Sequence, residues 1–487
     1  MPALVLIARV TGTSPRTLLL ALTAAAYAIL QFTILTDGHL NPVQPMKLGL
    51  TFNSMLEHLL HAQFDVDPAA VQYEGFGRDG RIYSYWGIFC ALVRLPLLFI
   101  PNGLDIDVTV LSCFVAAFLS VLFKFQTTIV IARARASNPL FSVALPLAWL
   151  YLAFGGSGIG HLRPSIYQEV IFWAEAEAAL FLLLLFIGLV GGVFTTRLLA
   201  GMAVCAGLAI ITRVTFGIGL CGGLGLLLLL LALEDFNRGR MILRRIWPAA
   251  AILLAFAAAA AAVNQQRWGN PLTFMDNSGY LLNDTFPDRL PREAQYGLFN
   301  VRRIFYGLDY YFLGAWLLPG ADGHLLFQEA HDRLYNVFEF PPAALLLTDL
   351  FPLALLVAAI RAPGAWSRLP PAFKRRAACA GLGLLAAWPP ILMAIATAYR
   401  YRMEFYPELD FVLLAALYAI GNSVAARPGR FAPALTAAAL CSVVCAHAGL
   451  MLYKLSQNGS YQTVMTTSPV DYFRTRAQAL IHPVPPQ

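Results

Sequence analysis

Asp37 stands directly after an apolar run, in TDGHLNP. A carboxylate there can serve as general base for a hydroxyl brought within hydrogen-bond reach, or it can simply close the helix as a turn residue before Gly38. A second group lies in ATAYRYRMEFYPELD, where Arg400, Arg402, Glu404 and Glu408 interleave with Tyr399, Tyr401 and Tyr406. A guanidinium is a planar fork that matches phosphate oxygens, and tyrosine suits the boundary between headgroups and tails. The stretch therefore reads as an anion site or as an aromatic belt with surface charge. Arg163, in GHLRPSIYQE, is a further anion candidate.

Other costly groups lie in or beside apolar runs: Arg94, Lys124, Glu169, Glu175, Glu177, Arg213 and Asp349. Ionisable side chains at membrane depth face a polar cavity or a partner. Arg213, Glu169 and Glu175 are expected to line one outward cavity or to form structural ion pairs. Lys124 is expected to snorkel toward the cytoplasmic side.

The spacing Asp65-x-Asp67 lacks the glycine and the distal glutamate of a calcium loop, so no cofactor is expected and a divalent metal has no support. RDGR at 78–81 reads as a tight turn. The seven cysteines lie in apolar stretches with no zinc or redox spacing and read as packing residues. No Walker loop, GxSxG elbow, HExxH or dinucleotide fingerprint occurs, and the glycines of GLCGGLGLLLLL sit in an apolar run where they allow close helix approach.

The elements that must position these residues are membrane helices. Of the 487 residues 59% are hydrophobic and 13% charged, against roughly 25% charged in a soluble domain. Mean hydropathy is +0.65. The composition excludes a soluble enzyme and predicts an all-α polytopic membrane protein of about eleven transmembrane helices, with spans near 17–35, 108–132, 139–155, 170–194, 198–214, 216–233, 246–263, 341–360, 377–397, 405–424 and 431–453. The net charge of +7 does not signal nucleic acid, because Lys and Arg flank apolar runs in small groups. With a cytoplasmic N-terminus, retained as a signal anchor, every second connection is short and basic. These carry Arg133 and Arg135, then Arg197, then Arg238, Arg240, Arg244 and Arg245, then Arg361, Arg368, Lys374, Arg375 and Arg376, then Arg427 and Arg430. Only Glu234 and Asp235 are acidic on that side.

Residues 1–453 are thus read as a single transmembrane unit with two long outer connections, 36–107 and 264–340, and a short periplasmic tail at 454–487. Connections of this length carry structure or function. The 51–62 stretch has an apolar stripe, Phe52, Met55, Leu56, Leu59 and Leu60, fit to lie on the membrane, with Glu57, His58 and His61 opposite. The 83–101 stretch, broken by Pro96 and Pro101, reads as an interfacial or re-entrant helix.

This layout resembles the GT-C superfamily of integral-membrane glycosyltransferases, in particular the bacterial branch related to dolichyl-phosphate-mannose-type and aminoarabinose-type transferases. The resemblance rests on Asp37 after the first span, a first outer loop ending in DGRIYSYWGIFCALVRLP, the YQEVIFWAEAEA segment, QRWGNPLTF after a span and RYRMEFYP before a late one. It implies transfer of a sugar from a polyprenyl-phosphate donor to a glycan or lipid-linked acceptor at the periplasmic face of a bacterial inner membrane. Asp37 would take the place of the catalytic acid. Arg400 and Arg402, with Arg163, would hold the lipid phosphate, beside Tyr399, Glu404 and Glu169. Where many members have a paired Asp-Glu, this chain has Asp37, Gly38 and His39. Two other readings use similar residues: a transporter or flippase of a lipid-linked substrate, and a polysaccharide polymerase or ligase working through Arg289, Arg292, Arg302, Arg303, His324 and His331 of the late loop. Against the transporter, the span pattern shows no internal repeat.

Overall fold

A bilayer offers no partner for a backbone amide, so each apolar run must close its hydrogen bonds within itself. In the computed structural model, which describes residues 15–134, 138–236, 243–314, 326–339, 342–423, 429, 431–455, 471–472, 474–475 and 477–478, the protein is all-α and 74% helical. In chain order the helices are α1 (Pro15–Leu35), α2 (Thr51–Leu60), α3 (Pro68–Val71), α4 (Phe89–Leu92), α5 (Thr109–Arg133), α6 (Pro139–Phe154), α7 (Gly156–Ile159) and α8 (Ile166–Gly191). They continue with α9 (Thr196–Thr212), α10 (Val214–Phe236), α11 (Leu243–Trp268), α12 (Arg289–Tyr296), α13 (Arg303–Leu308), α14 (Gln328–Leu334) and α15 (Leu345–Thr348). The last are α16 (Leu350–Arg361), α17 (Pro371–Leu384), α18 (Trp388–Met393), α19 (Tyr406–Gly421) and α20 (Ala432–Leu455). Among the described residues eight segments are long and apolar enough to cross a membrane: α1, α5, α6 with α7, α8, α10, α11, α17 with α18, and α20.

A helix stands at each of the eleven anticipated places, but one is much shorter than expected. The 341–360 span is interrupted at Asp349, between α15 and α16. Its carboxylate draws Tyr151 (2.5 Å), Thr348 (2.6 Å), Tyr406 (3.1 Å) and Arg402 (3.2 Å), which fixes a break in the helix. The twelve-residue α16 is about 18 Å long, short of a ~30 Å hydrocarbon core.

The bundle is tightened by small residues and pinned by buried ion pairs. A β-carbon on Gly383 of α17 would lie 2.2 Å from the Gly222 carbonyl oxygen of α10, so these glycines permit the helix contact, as the glycine run suggests. Lys124 does not snorkel. It is buried on α5 and bonds Ser157 (2.8 Å), Glu175 of α8 (2.6 Å) and Asp410 of α19 (2.7 Å). Two carboxylates offer the ammonium a better exchange for water than a headgroup several turns away. At the end of the bundle away from the long connections, Glu234 accepts from Arg375 (3.1 Å) and Arg376 (2.7 Å), and Asp235 from Arg245 (2.9 Å). Both acids on that side are therefore matched by its arginines. Arg9, Arg135, Arg238, Arg240, His324, Arg427 and Arg430, and most of the segment after Leu455, lie outside the described residues.

The first connection folds onto the bundle. Strands β1 (Phe76–Arg78) and β2 (Arg81–Tyr83) form a hairpin turned by Asp79 and Gly80, both at positive φ, as RDGR implies. Asp67 caps α3 through the amide of Ala69 (2.9 Å), while Asp65 meets His58 (3.2 Å). Most of the stripe of α2 is covered by protein: Phe52, Met55 and Leu56 bury against Val71, Trp86, Cys90, Ile166 and Val170, while Leu60 at its end stays exposed. Protein covers this stripe because the chain returns over it at Trp86, whose ring meets Phe52 edge-on at 6.1 Å. In the 83–101 stretch α4 and a 3-10 turn (Leu95–Phe99) leave Leu95, Leu98, Phe99 and Ile100 exposed, as an interfacial segment requires. The second connection carries α12 to α14 and ends in β3 (Val337–Phe338), parallel to β4 (Ala396–Thr397).

Candidate functional site

The two long connections meet, which nothing in their sequences announces. Phe76 of β1 bridges to Tyr280 with rings stacked at 4.5 Å, and the amide of Leu281 donates to the carbonyl of Gly75 (3.0 Å). Between them and the helix ends lies a cavity of about 1590 Å³. Its walls come from the first connection (Glu74, Tyr85, Trp86), the start of α8 (Tyr167), the α9–α10 junction (Arg213), the end of α11 (Arg267), the second connection (Tyr280, Arg289) and the turn before α19 (Arg400, Tyr401). Trp86 is held in this wall because Gly87 lies against the end of α9, where a β-carbon would meet the Ile211 carbonyl oxygen at 2.0 Å.

Among the wall residues is Glu74, which is buried. Its two oxygens accept from two tyrosine hydroxyls, Tyr167 at 2.5 Å and Tyr280 at 2.7 Å. Each tyrosine ring carries a guanidinium: Arg400 lies 4.6 Å from the Tyr167 centroid and Arg289 lies 4.9 Å from the Tyr280 centroid. Lys47 sits 4.5 Å over Tyr73. Among the described residues no carboxylate comes within ion-pair distance of Arg400, Arg289 or Lys47. A half-buried guanidinium stacked on an aromatic ring and facing a cavity keeps its hydrogen-bond fork available to an anion.

The candidate residues read from sequence divide sharply. Arg400 and Arg163 line the cavity, Arg163 with its guanidinium 5.4 Å over Tyr453. Arg402 does not. It is fully buried, donating to the Ala343 carbonyl (2.8 Å) and pairing with Asp349. Glu404 is buried in an ion pair with Arg213, whose guanidinium also lies 5.0 Å from the Tyr401 ring. Glu169 is buried in a two-point pair with Arg94, and Glu175 is held by Lys124. Of the three residues expected to line one outward cavity or to form ion pairs, Arg213 does both, while Glu169 and Glu175 only pair. Tyr399 is buried and stacked on His161 at 4.7 Å. Burial, with the nearby Arg402 charge, holds the His161 imidazole well below its usual protonation range. Asp37 is largely exposed, at positive φ, with its carboxylate 2.5 Å from Lys454 Nζ, and it is not part of the cavity wall.

The sequence by itself assigns no role to Glu74, Tyr167 or Tyr280. The one local signal is an acid beside Tyr73 in the short turn that follows the Asp67 cap. Among the described residues no three of His, Cys, Asp and Glu gather as metal ligands.

No protein-family model matches the chain, and no curated protein matches it in sequence. Among solved structures it is similar to the oligosaccharyltransferase of Archaeoglobus fulgidus. The apo form gives a TM-score of 0.42 at 12% identity, covering 92% of this chain and 60% of that one. The form tethered to an acceptor peptide gives 0.40 at 13% identity, covering 93% and 58%. The AglB complex with an inhibitory peptide and a dolichol-phosphate gives 0.40 at 13% identity, covering 92% and 59%. The chain thus spans under two thirds of the length of these proteins. At such scores the likeness carries no argument, and the reading of the site rests on its own geometry.

Proposed function

We propose that this protein is a membrane glycosyltransferase of GT-C type that moves a sugar from a polyprenyl-phosphate donor to an acceptor hydroxyl at the outer membrane face. The observation that carries the reading is Arg400: a guanidinium without an acid partner, facing a large cavity, one tyrosine ring away from a buried carboxylate. In this scheme the donor phosphate lies on Arg400, with Arg163 nearby, and the acceptor hydroxyl lies on Glu74. The acceptor oxygen forms a bond to the anomeric carbon as the bond from that carbon to the phosphate oxygen breaks. The electron pair leaves with the lipid phosphate, where Arg400 offsets the developing charge, and the hydroxyl proton passes to Glu74. Apolar wall residues such as Ile210, Val214 and Ile218 offer a path for the polyprenyl chain.

Asp37 is the rival base, since it follows the first span as the superfamily resemblance implies. Its salt bridge to Lys454 and its exposure favour Glu74 instead. The deciding experiment measures transfer of labelled sugar from a synthetic polyprenyl-phosphate donor by protein in nanodiscs, comparing Glu74→Gln, Arg400→Gln and Asp37→Asn at equal folded yield. Loss in the first two with activity retained in the third supports the reading. Loss only in Asp37→Asn returns the base to the first span, and donor binding without turnover in the parent protein favours a transporter.

A further inference from the structure

The cavity holds more positive charge than the donor needs. Six basic side chains, Lys47, Arg163, Arg213, Arg267, Arg289 and Arg400, face two wall acids, Glu74 and Glu339, with Glu404 behind Arg213. A sugar joined to a lipid by a phosphodiester brings a single negative charge. Arg289 is placed like Arg400: stacked on a tyrosine whose hydroxyl reaches Glu74, but through the other carboxylate oxygen. Its neighbour Arg292, by contrast, is taken by Asp288 (2.7 Å) and Asn336 (2.9 Å). The second connection, which supplies Arg289, also lends the cavity the apolar side chains of Leu282, Phe286, Leu298 and Phe299. Phe299 and, just beyond it in the chain, Val301 and Phe305 are exposed, at 60%, 70% and 62%.

A cation at the edge of an apolar wall fits an amphiphile whose head is anionic. We infer that Arg289 forms a second anion subsite, joined to the Arg400 subsite through Glu74, that takes the anionic headgroup of a lipid-anchored acceptor. This rests on the transferase reading for the meaning of the Arg400 subsite, but the occupancy of Arg289 is measurable without it. The acceptor hydroxyl would then be delivered to Glu74 from one side and the donor sugar from the other.

The test uses the full chain in phosphatidylcholine nanodiscs, with citronellyl phosphate as donor-site probe, phosphatidylglycerol as lipid-borne anion and glycerol 1-phosphate as its soluble counterpart, read by native mass spectrometry. Both lipid probes are expected to bind together. Arg289→Gln should weaken phosphatidylglycerol at least tenfold and leave citronellyl phosphate unchanged, Arg400→Gln should do the reverse, and Arg289→Lys should recover part of the loss. Mutual displacement of the two probes by the parent protein, which needs no variant to fold, overturns the second subsite. So does phosphatidylglycerol binding that ignores Arg289→Gln. Glycerol 1-phosphate binding as tightly as phosphatidylglycerol overturns the lipid-anchored part. Absence of citronellyl phosphate binding overturns the transferase reading alone, and the Arg289 comparison still decides this one.

Discussion

The charges buried among the helices and the charges around the cavity obey opposite rules. Arg94, Lys124 and Arg402 each hold a carboxylate, at Glu169, Glu175 with Asp410, and Asp349. Arg400, Arg289 and Lys47 hold tyrosine rings and no carboxylate. In low dielectric an unmatched charge costs several kcal/mol, so a cation deep in the bundle persists only with its acid beside it. At a cavity wall water and a ring face satisfy the cation, and a ligand can replace the water. Matched charge is architecture, whereas unmatched charge facing a cavity is a binding surface.

The largest effect expected from this contrast is on stability. Lys124→Met leaves Glu175 and Asp410 buried without their cation and should cost ~3–5 kcal/mol, read as a lowered thermal midpoint in lipid. Adding Glu175→Leu and Asp410→Leu should restore much of it, and a triple variant no better than the single one would break the argument that charge matching is at issue. Next in size, Arg400→Gln should keep the thermal midpoint and lower the transfer rate by roughly 10²–10³, the scale of losing one donor to a developing anion. An equal fall in stability would put Arg400 with the structural set.

His161 sharpens the comparison through pH. Its folded-state proton affinity is depressed by burial, so above about pH 6.5 both folded and unfolded states hold it neutral and its contribution is intact. As pH falls below that value the unfolded chain takes up a proton that the folded one refuses, and stability declines by up to ~1.4 kcal/mol per pH unit. His161→Phe, which keeps the stacking on Tyr399, should flatten the thermal midpoint between pH 6.5 and 5; an unchanged slope would assign the acid sensitivity elsewhere. Smallest of all, Asp37→Asn removes an exposed pair with Lys454 and should shift stability by under about 1 kcal/mol with little change in transfer. A large loss of transfer at unchanged stability would bring Asp37 back as the base.

Arg400 and Arg402 show where sequence reading stops. Both stand in one motif, two residues apart, on either side of Tyr401. The motif folds as a 3-10 helix, Tyr399–Phe405, in which residues two apart project in very different directions. One guanidinium enters the cavity and the other goes into the bundle to Asp349. Glu74 shows the complementary case. Its role depends on Tyr167 and Tyr280, 93 and 206 residues away, brought together by the packing of the two long connections.

From sequence alone came the all-α polytopic class, the places of the apolar helices, the helix-pairing glycines and the RDGR turn. These follow from hydropathy, helix geometry and turn chemistry, which act over a few residues at a time. Only the tertiary structure decided which cations are matched and which are left open, because a charge is matched by whatever acid comes within about 4 Å in space, and chain distance does not report that.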